Sequence, residues 1–250
     1  MNYLLRKIIN VYRRIFNGIN LILYPQNFYL YKKNTYNFHN ICFSQEGEDL
    51  VLARFFERQK DGFFVDVGAH HPQRFSNTYM FYLRGWKGIN IDPLPHSMDK
   101  FNELRPNDIN LELAISNNGE RLVYYQFNEP ALNGFSPEIS KQRDGLRGEY
   151  KIIDQTEIQT YKLSEILDKY LPPNQSIDFL SIDVEGLDLE VLKSNNWEKY
   201  RPKLILVEDL SRLSLKQMQN SEVFCFLDKL DYEIYAKTVN TLFFIDTKNK

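Results

Sequence analysis

From residue 62 onward, short apolar runs alternate with segments of helical period. GFFVDVG and KGINID each end near an Asp and are separated by the helix-compatible SNTYMFYLRGW. PHSMDKFNELR then reads as a second helix and INLELAIS as a third strand. Strands alternating with helical patterns predict a parallel sheet with helices on both faces. Farther along, Leu163, Ile166, Leu167 and Tyr170 follow the i, i+3, i+4, i+7 spacing of an amphipathic helix, stopped by Pro172 and Pro173. IDFLSIDV and KLILVE are nearly continuous apolar runs, the pattern of central strands buried on both faces. A last helix carries Val223, Phe226, Leu227 and Leu230, and YEIYAKTV and TLFFID follow, separated by little more than Asn240. So short a connection permits a hairpin but no parallel crossover, so the last strand is expected to run antiparallel.

The stretch from Asn117 to Thr160 breaks this rhythm. RLVYYQF has strand character, but NEPALNGFSPEISKQRDGLRGEYK is dense in turn formers and charge and is expected to be an irregular insertion that covers the substrate. The organisation expected is a basic N-terminal helical segment over 1–40 and one domain over 41–250 with an insertion at about 117–160. A chain of 250 residues, 43% hydrophobic, can close one such core.

The leader carries Leu5, Ile8, Tyr12, Ile15 and Ile19 on one helical face and Arg6, Lys7, Arg13 and Arg14 on the other. It has no apolar run of the ~20 residues a bilayer requires and no signal-peptide pattern. Two expectations stand: the helix docks on the domain or on a second subunit in a homo-oligomer, or it lies on an anionic inner-membrane surface. Residues 1–45 hold six basic residues and no acid, so a net charge of −2 leaves −2 − 6 = −8 for residues 46–250. So acidic a body lacks the basic footprint of a nucleic-acid binder. Cys42 and Cys225, 183 positions apart, suggest neither a disulfide framework nor a zinc site. Two reduced, mostly buried thiols and a cytoplasmic location are expected.

The chemistry concentrates at the ends of the strands. VDVGAHHP has the strand-to-turn shape of a nucleotide site, but it has one glycine where a dinucleotide fingerprint needs three, and the P-loop pattern is missing. S-adenosylmethionine has no phosphate to cradle. It needs one tight turn and an acid for the ribose hydroxyls, which Gly68, Asp66 and, 26 residues after Asp66, Asp92 offer in order.

FSQEGEDLVLARFF, GFFVDVGAHHPQRFSNTYMFYLRGWKGINIDPLP, INLELAIS, DFLSIDVEGLDLEVLKSNNW and KLILVE together resemble the FkbM-type methyltransferases, over roughly residues 43–210. The resemblance implies an α/β fold of the class I methyltransferase (Rossmann-like) kind, S-adenosylmethionine as methyl donor, and O-methylation of a sugar hydroxyl in surface-glycan or other saccharide biosynthesis. It places cofactor contacts at Asp66, Gly68, His70, Asp92 and around Ala114 to Ser116. Asn77 would sit with Ser76 and Thr78 at a helix start that suits a carboxylate, although Ser76 alone could be a plain N-cap. Gln45 and Glu46 would close over the cofactor.

Four acids complete the picture: Asp183 and Glu185 after one central strand, Glu208 and Asp209 after the next. Residues two apart on a strand share a face, so Asp183 and Glu185 are expected to project together. Three roles compete. Asp183, Glu208 and Asp209 could bind Mg²⁺, at a spacing similar to that of macrocin-type sugar O-methyltransferases, which have two aspartates where this chain has Glu208-Asp209. Asp183 or Glu185 could instead be a metal-free general base, or the acids could cap the next helix. His70 and His71 are further base candidates. The expected partner is a saccharide or nucleotide sugar. The alternative from another class is a non-catalytic module binding an adenosyl ligand or a glycan on the same fold.

Overall fold

The computed structural model describes residues 40–210, 213–214 and 216–248, and the expectations for the leader lie outside them. β1 (Phe63–Val67), β2 (Lys87–Asp92), β3 (Ile109–Glu112), β7 (Phe179–Ile182) and β8 (Leu204–Glu208) run parallel. β10 (Thr241–Asp246) pairs antiparallel with both β8 and β9 (Tyr232–Lys237). These seven strands form the main sheet in the order β3-β2-β1-β7-β8-β10-β9. The hairpin expected from the short connection at Asn240 is therefore present.

Strand periodicity sorts the core into two layers. Val65, Val67, Leu180, Ile182, Ile205 and Val207 face α5 (Leu163–Tyr170), α6 (Asp188–Lys193) and α7 (Glu222–Asp228). Their neighbours Phe64, Phe179, Leu204 and Leu206 face α1 (Glu48–Phe55) and α2 (Tyr79–Leu83), where Leu52, Met80, Phe81 and Trp86 fill the space. Each large side chain so buried contributes about 1.5–3 kcal/mol. α3 (Ser97–Leu104) packs Met98 and Phe101 beside β2 and β3. Among the described residues no helix is long and apolar enough to cross a membrane.

The structure corrects three expectations. INLELAIS is not one strand: β3 ends at Glu112, and β4 (Ala114–Ile115) leaves the main sheet to pair with β6 (Ile152–Tyr161). β6 also pairs antiparallel with β5 (Arg121–Phe127), so the insertion is framed by a three-stranded sheet. Sequence reading missed the ten-residue β6 because Ile152 and Ile158 are only half-buried among polar neighbours, which weakens the alternation. Between β5 and β6 lies α4 (Pro137–Arg143), started by Ser136, whose Oγ accepts from Ile139 N at 3.3 Å. Lastly, Cys42 and Cys225 are exposed instead of buried; α7 turns Leu227 to the core and leaves Cys225 outside.

Candidate active site

Two clefts open at the carboxyl ends of the strands, the place where open α/β sheets bind ligands. The larger encloses about 790 Å³ of non-atom space, its open mouth included, and the smaller about 370 Å³. Gln45, Phe75 and Asp183 line both.

The floor of the larger cleft is the turn after β1. Gly68 has φ +84, and a Cβ there would lie 1.7 Å from the Asp183 carbonyl oxygen, so only glycine fits. The Gly68 and Ala69 amides both donate to Ile91 O, at 2.9 and 3.0 Å. The next amide, of His70, donates to Asp92 Oδ2 at 2.9 Å, and Leu94 N donates to Asp92 Oδ1 at 2.9 Å. Two amides thus fix the Asp92 carboxylate at the cleft wall and leave each oxygen a second lone pair. Burial pushes its pKa up to about 6, against the pull of those amides. His70 also lines the cleft, and its Nε2 is buried with no hydrogen-bond partner among the described residues. Burial, Arg74 and His71 lower its pKa to about 4, so the ring is neutral.

The opposite wall is supplied by the insertion. Tyr124, Pro130, Ala131, Asn133, Gly134 and Phe135 all face the larger cleft, beside Ala114 from β4. Asn133 Oδ1 accepts from Phe127 N at 2.7 Å, and Gly134 exchanges backbone hydrogen bonds with Tyr125. Sequence reading named none of these six residues, although the Asn-Gly pair followed by Phe135 marked a turn carrying an aromatic residue. Ion pairs hold the insertion at both ends, Arg74 to Glu129 at 2.9 Å and Arg143 to Glu185 at 2.6 Å.

Beyond β7 the chain turns sharply. Asp183 N still donates to Val67 O at 3.0 Å, but Glu185 is left-handed at φ +56, so a turn and not strand alternation brings the two acids together. Oxygens of Asp183, Glu185 and Glu208 lie within 4.8 Å of one another. Withdrawal from water and the neighbouring acids Glu185, Asp188 and Asp66 raise the Asp183 pKa well above the usual carboxylate range. Burial and Asp183 raise that of Glu208, whose Oε2 is buried without a hydrogen-bond partner among the described residues. Burial raises Glu185 also, against the Arg143 guanidinium. Capping of the turn belongs to Asp188, which accepts from Val184 N at 3.2 Å and Gly186 N at 3.1 Å.

The structure places the other expected residues as follows. Asp209 is outside the carboxylate trio, and Glu185 stands where it was expected: the Asp209 amide donates to Asn240 O at 2.7 Å, continuing the pairing of β8 with β10. Asp66 lines neither cleft. It is buried beneath Thr78, whose Oγ1 donates to Asp66 Oδ2 at 2.9 Å and accepts from Arg105 Nη1 at 3.0 Å. His71 lines neither cleft either; its Nδ1 accepts the Gln73 and Arg74 amides at 3.1 and 3.0 Å, which makes it a brace of the turn. Ser116 is buried at the start of the insertion, its amide donating to Tyr161 O at 2.9 Å. Glu46 and Asn77 line the smaller cleft, not the larger; Glu46 Oε2 accepts from Asn240 N at 2.9 Å and Asn77 Nδ2 donates to Ser181 Oγ at 3.1 Å. Ser76 Oγ accepts from Tyr79 N at 3.1 Å and braces the turn into α2, but the N-cap position of that helix is Thr78.

Five parallel strands in the order β3-β2-β1-β7-β8, with an antiparallel strand inserted beside β8 and a ligand cleft over β1 and β2, define a Rossmann-like methyltransferase fold. The family model described as the methyltransferase FkbM domain matches residues 66–234, more than half of the chain, and the protein belongs to this methyltransferase family. Comparison with curated proteins and with solved structures gives no significant match.

Proposed function

We propose that this methyltransferase takes its methyl group from S-adenosylmethionine and transfers it to a saccharide hydroxyl. The observation that carries this reading is the shared wall of the two clefts, where Asp183 borders the larger cleft with its fixed Asp92 on one side and an acid-lined pocket on the other. The residues of the larger cleft fit the cofactor. Asp92 has lone pairs to accept from vicinal ribose hydroxyls, and the orphaned Nε2 of His70 offers a further hydrogen-bonding position, donor or acceptor according to its tautomer. Leu94, Leu113, Ile115 and Phe135 offer an apolar slot for a planar base. Among the described residues the cleft lining includes no Lys or Arg, which suits a ligand with a sulfonium and no phosphate better than a dinucleotide or ATP.

When bound, the cofactor supplies an electrophilic methyl group. The chain's own part is to orient the acceptor hydroxyl and to receive its proton. Asp183 and Glu208 are close enough that one proton satisfies both, and the oxygen left ionised is a base with raised proton affinity. Arg143 holds Glu185 in place beside them.

A second reading is favoured by the oxygens within 4.8 Å: Asp183, Glu185 and Glu208 would together hold a hard divalent cation such as Mg²⁺, for which all-oxygen donors are suited. Such an ion would lower the pKa of a coordinated hydroxyl.

The test is incubation with labelled S-adenosylmethionine and a panel of saccharide acceptors, with and without chelator. Transfer to saccharide is expected, with Asp183→Asn losing on the order of 10²-fold in turnover. Binding of neither the cofactor nor its demethylated product in calorimetry would overturn the assignment. Full activity in excess chelator would reject the cation and leave Asp183 as the base.

A further inference from the structure

The smaller cleft has features that a cofactor site does not require. It meets the larger one at Gln45, Phe75 and Asp183, and it continues along Asn77, Glu208 and Thr241. Phe75 is the unusual member of this junction. It has φ +57, a left-handed conformation that a bulky side chain adopts only when its surroundings impose it, and such strain concentrates at functional sites. The residue is nevertheless 39% exposed, its ring stacked on His70 with centroids 6.4 Å apart and its remaining surface open to the cleft mouth. The Arg74 guanidinium packs 4.4 Å from the ring centroid and is itself paired with Glu129, so the ring is held in place at the mouth. The backbone is thus bent to present a fixed aromatic surface beside Asp183, where the two clefts join.

The lining of this cleft also has a definite charge. Glu46, Glu48 and the proton-sharing pair of Asp183 and Glu208 contribute to it, with hydrogen-bonding amides at Gln45, Asn77 and Asn240, and among the described residues it includes no Lys, Arg or His. Glu46 and Glu48 are fixed by Asn240 N and Thr241 Oγ1, at 2.9 and 3.1 Å, so neither can swing away from a ligand without breaking those bonds. With no cation on the acids, a phosphate entering here would meet like charge and find no cationic partner among the described lining residues, whereas hydroxyls would find acceptors at Glu46, Glu48 and the ionised member of the Asp183–Glu208 pair.

Resting on the saccharide O-methyltransferase reading above, we propose that the acceptor enters through the smaller cleft, lays the C–H face of one sugar ring on Phe75, and is an uncharged saccharide unit with no phosphate beside it. Phe75 then determines specificity without entering the proton transfer. The reaction that supplies this acceptor is accordingly a glycosyl transfer that has already released the nucleotide, and methylation follows it.

Two substitutions separate the parts. Phe75→Asn removes the ring and installs a residue that tolerates φ +57, so the fold should hold its melting temperature. Thr241→Lys projects a long side chain into the smaller cleft only, because Thr241 does not line the larger one. The probes are neutral methyl glycosides of common hexoses and deoxyhexoses, compared with the same sugars carried on nucleoside diphosphates. Binding to the protein saturated with S-adenosylhomocysteine is read by saturation-transfer NMR, and transfer is read with labelled cofactor. The expected result is that a neutral glycoside binds and is methylated, that Phe75→Asn raises its KM by about tenfold with a smaller effect on kcat, and that Thr241→Lys abolishes acceptor binding. Calorimetry should give Thr241→Lys the wild-type affinity for S-adenosylhomocysteine. Should saccharides be methylated with both variants silent in KM, the acceptor route is wrong and the enzyme reading survives. A preference for the nucleotide-linked sugar would overturn the charge argument. If no saccharide of either kind is bound or methylated while the cofactor product still binds, the saccharide reading fails and this inference fails with it.

Discussion

Arg143 at the end of α4 donates to Glu185 Oε2 at 2.6 Å, joining the insertion to the turn that follows β7. Both side chains are largely withdrawn from solvent, 17% and 14% exposed, and Glu185 has its backbone in the left-handed region. Together with Arg74 and Glu129, this pair ties the wall formed by residues 130–135 to the loops that form the cleft floor.

Arg143→Ala should therefore loosen the larger cleft as well as lower stability. Leaving Glu185 largely buried without its cation costs about 1–3 kcal/mol, measurable in denaturant unfolding. Affinity for S-adenosylhomocysteine should fall with it. Adding Glu185→Gln should restore part of the stability, because the unpaired charge is then gone. An unchanged midpoint and unchanged affinity in Arg143→Ala would mean that the pair does not hold the wall.

Cofactor affinity should depend on pH through Asp92. Its folded pKa is raised to about 6, so the carboxylate is ionised at neutral pH and gains a proton as pH falls through that value. The protonated acid has less capacity to accept hydroxyls, so S-adenosylhomocysteine should bind more weakly below pH 6 and reach full affinity above it. For stability the sign is opposite. Because the folded state retains a proton that the unfolded chain releases at about 3.9, this group's contribution declines as pH rises from about 4 to 6. Asp92→Asn should flatten the binding profile and cost about 10–100-fold in affinity, as its amide NH₂ must face either His70 N or Leu94 N.

Gly68→Ala should be among the most damaging single substitutions. The added methyl meets backbone, the Asp183 carbonyl, at 1.7 Å, and no rotamer change relieves it. Separating β1 from β7 to make room should cost on the order of 4 kcal/mol or more, seen as a large fall in melting temperature or as insoluble protein. A Gly68→Ala variant that melts like wild type would show that the turn is not packed against the end of β7.

Asp183→Asn should separate stability from activity. Removing one carboxylate from a buried cluster in which Glu185, Asp188 and Asp66 repel the Asp183 charge relieves that repulsion, so the melting temperature should hold or rise while turnover falls by on the order of 10²-fold. A variant of unchanged turnover would return the acids to a structural role.

The hydrophobic pattern alone determined the α/β alternation, the buried central strands and the antiparallel end of the sheet. These follow from local rules: period 2 sorts Val65 and Val67 to one layer and Phe64 to the other, and a connection of a few residues cannot cross a sheet. The sequence also marked Gly68, Asp92 and Asp183 as strand-end residues, and all three line the larger cleft. It could not rank equivalent acids. Asp66 and Asp92 both look like terminal aspartates, but Asp66 is the penultimate residue of β1 and is covered by Thr78, whereas Asp92 is the last of β2 and reaches the opening. One residue of depth decides between a buried network and a ligand wall, and that depth is set by which helix packs above. The same holds for Glu185 and Asp209. A left-handed turn folds Glu185 back toward Asp183, while the antiparallel pairing of β8 with β10 draws the Asp209 backbone toward Asn240. Where the insertion returns to the cleft was likewise decided by tertiary contacts, the long-range ion pairs of Arg74 and Arg143, because they join residues 55 and 42 positions apart that no local spacing relates.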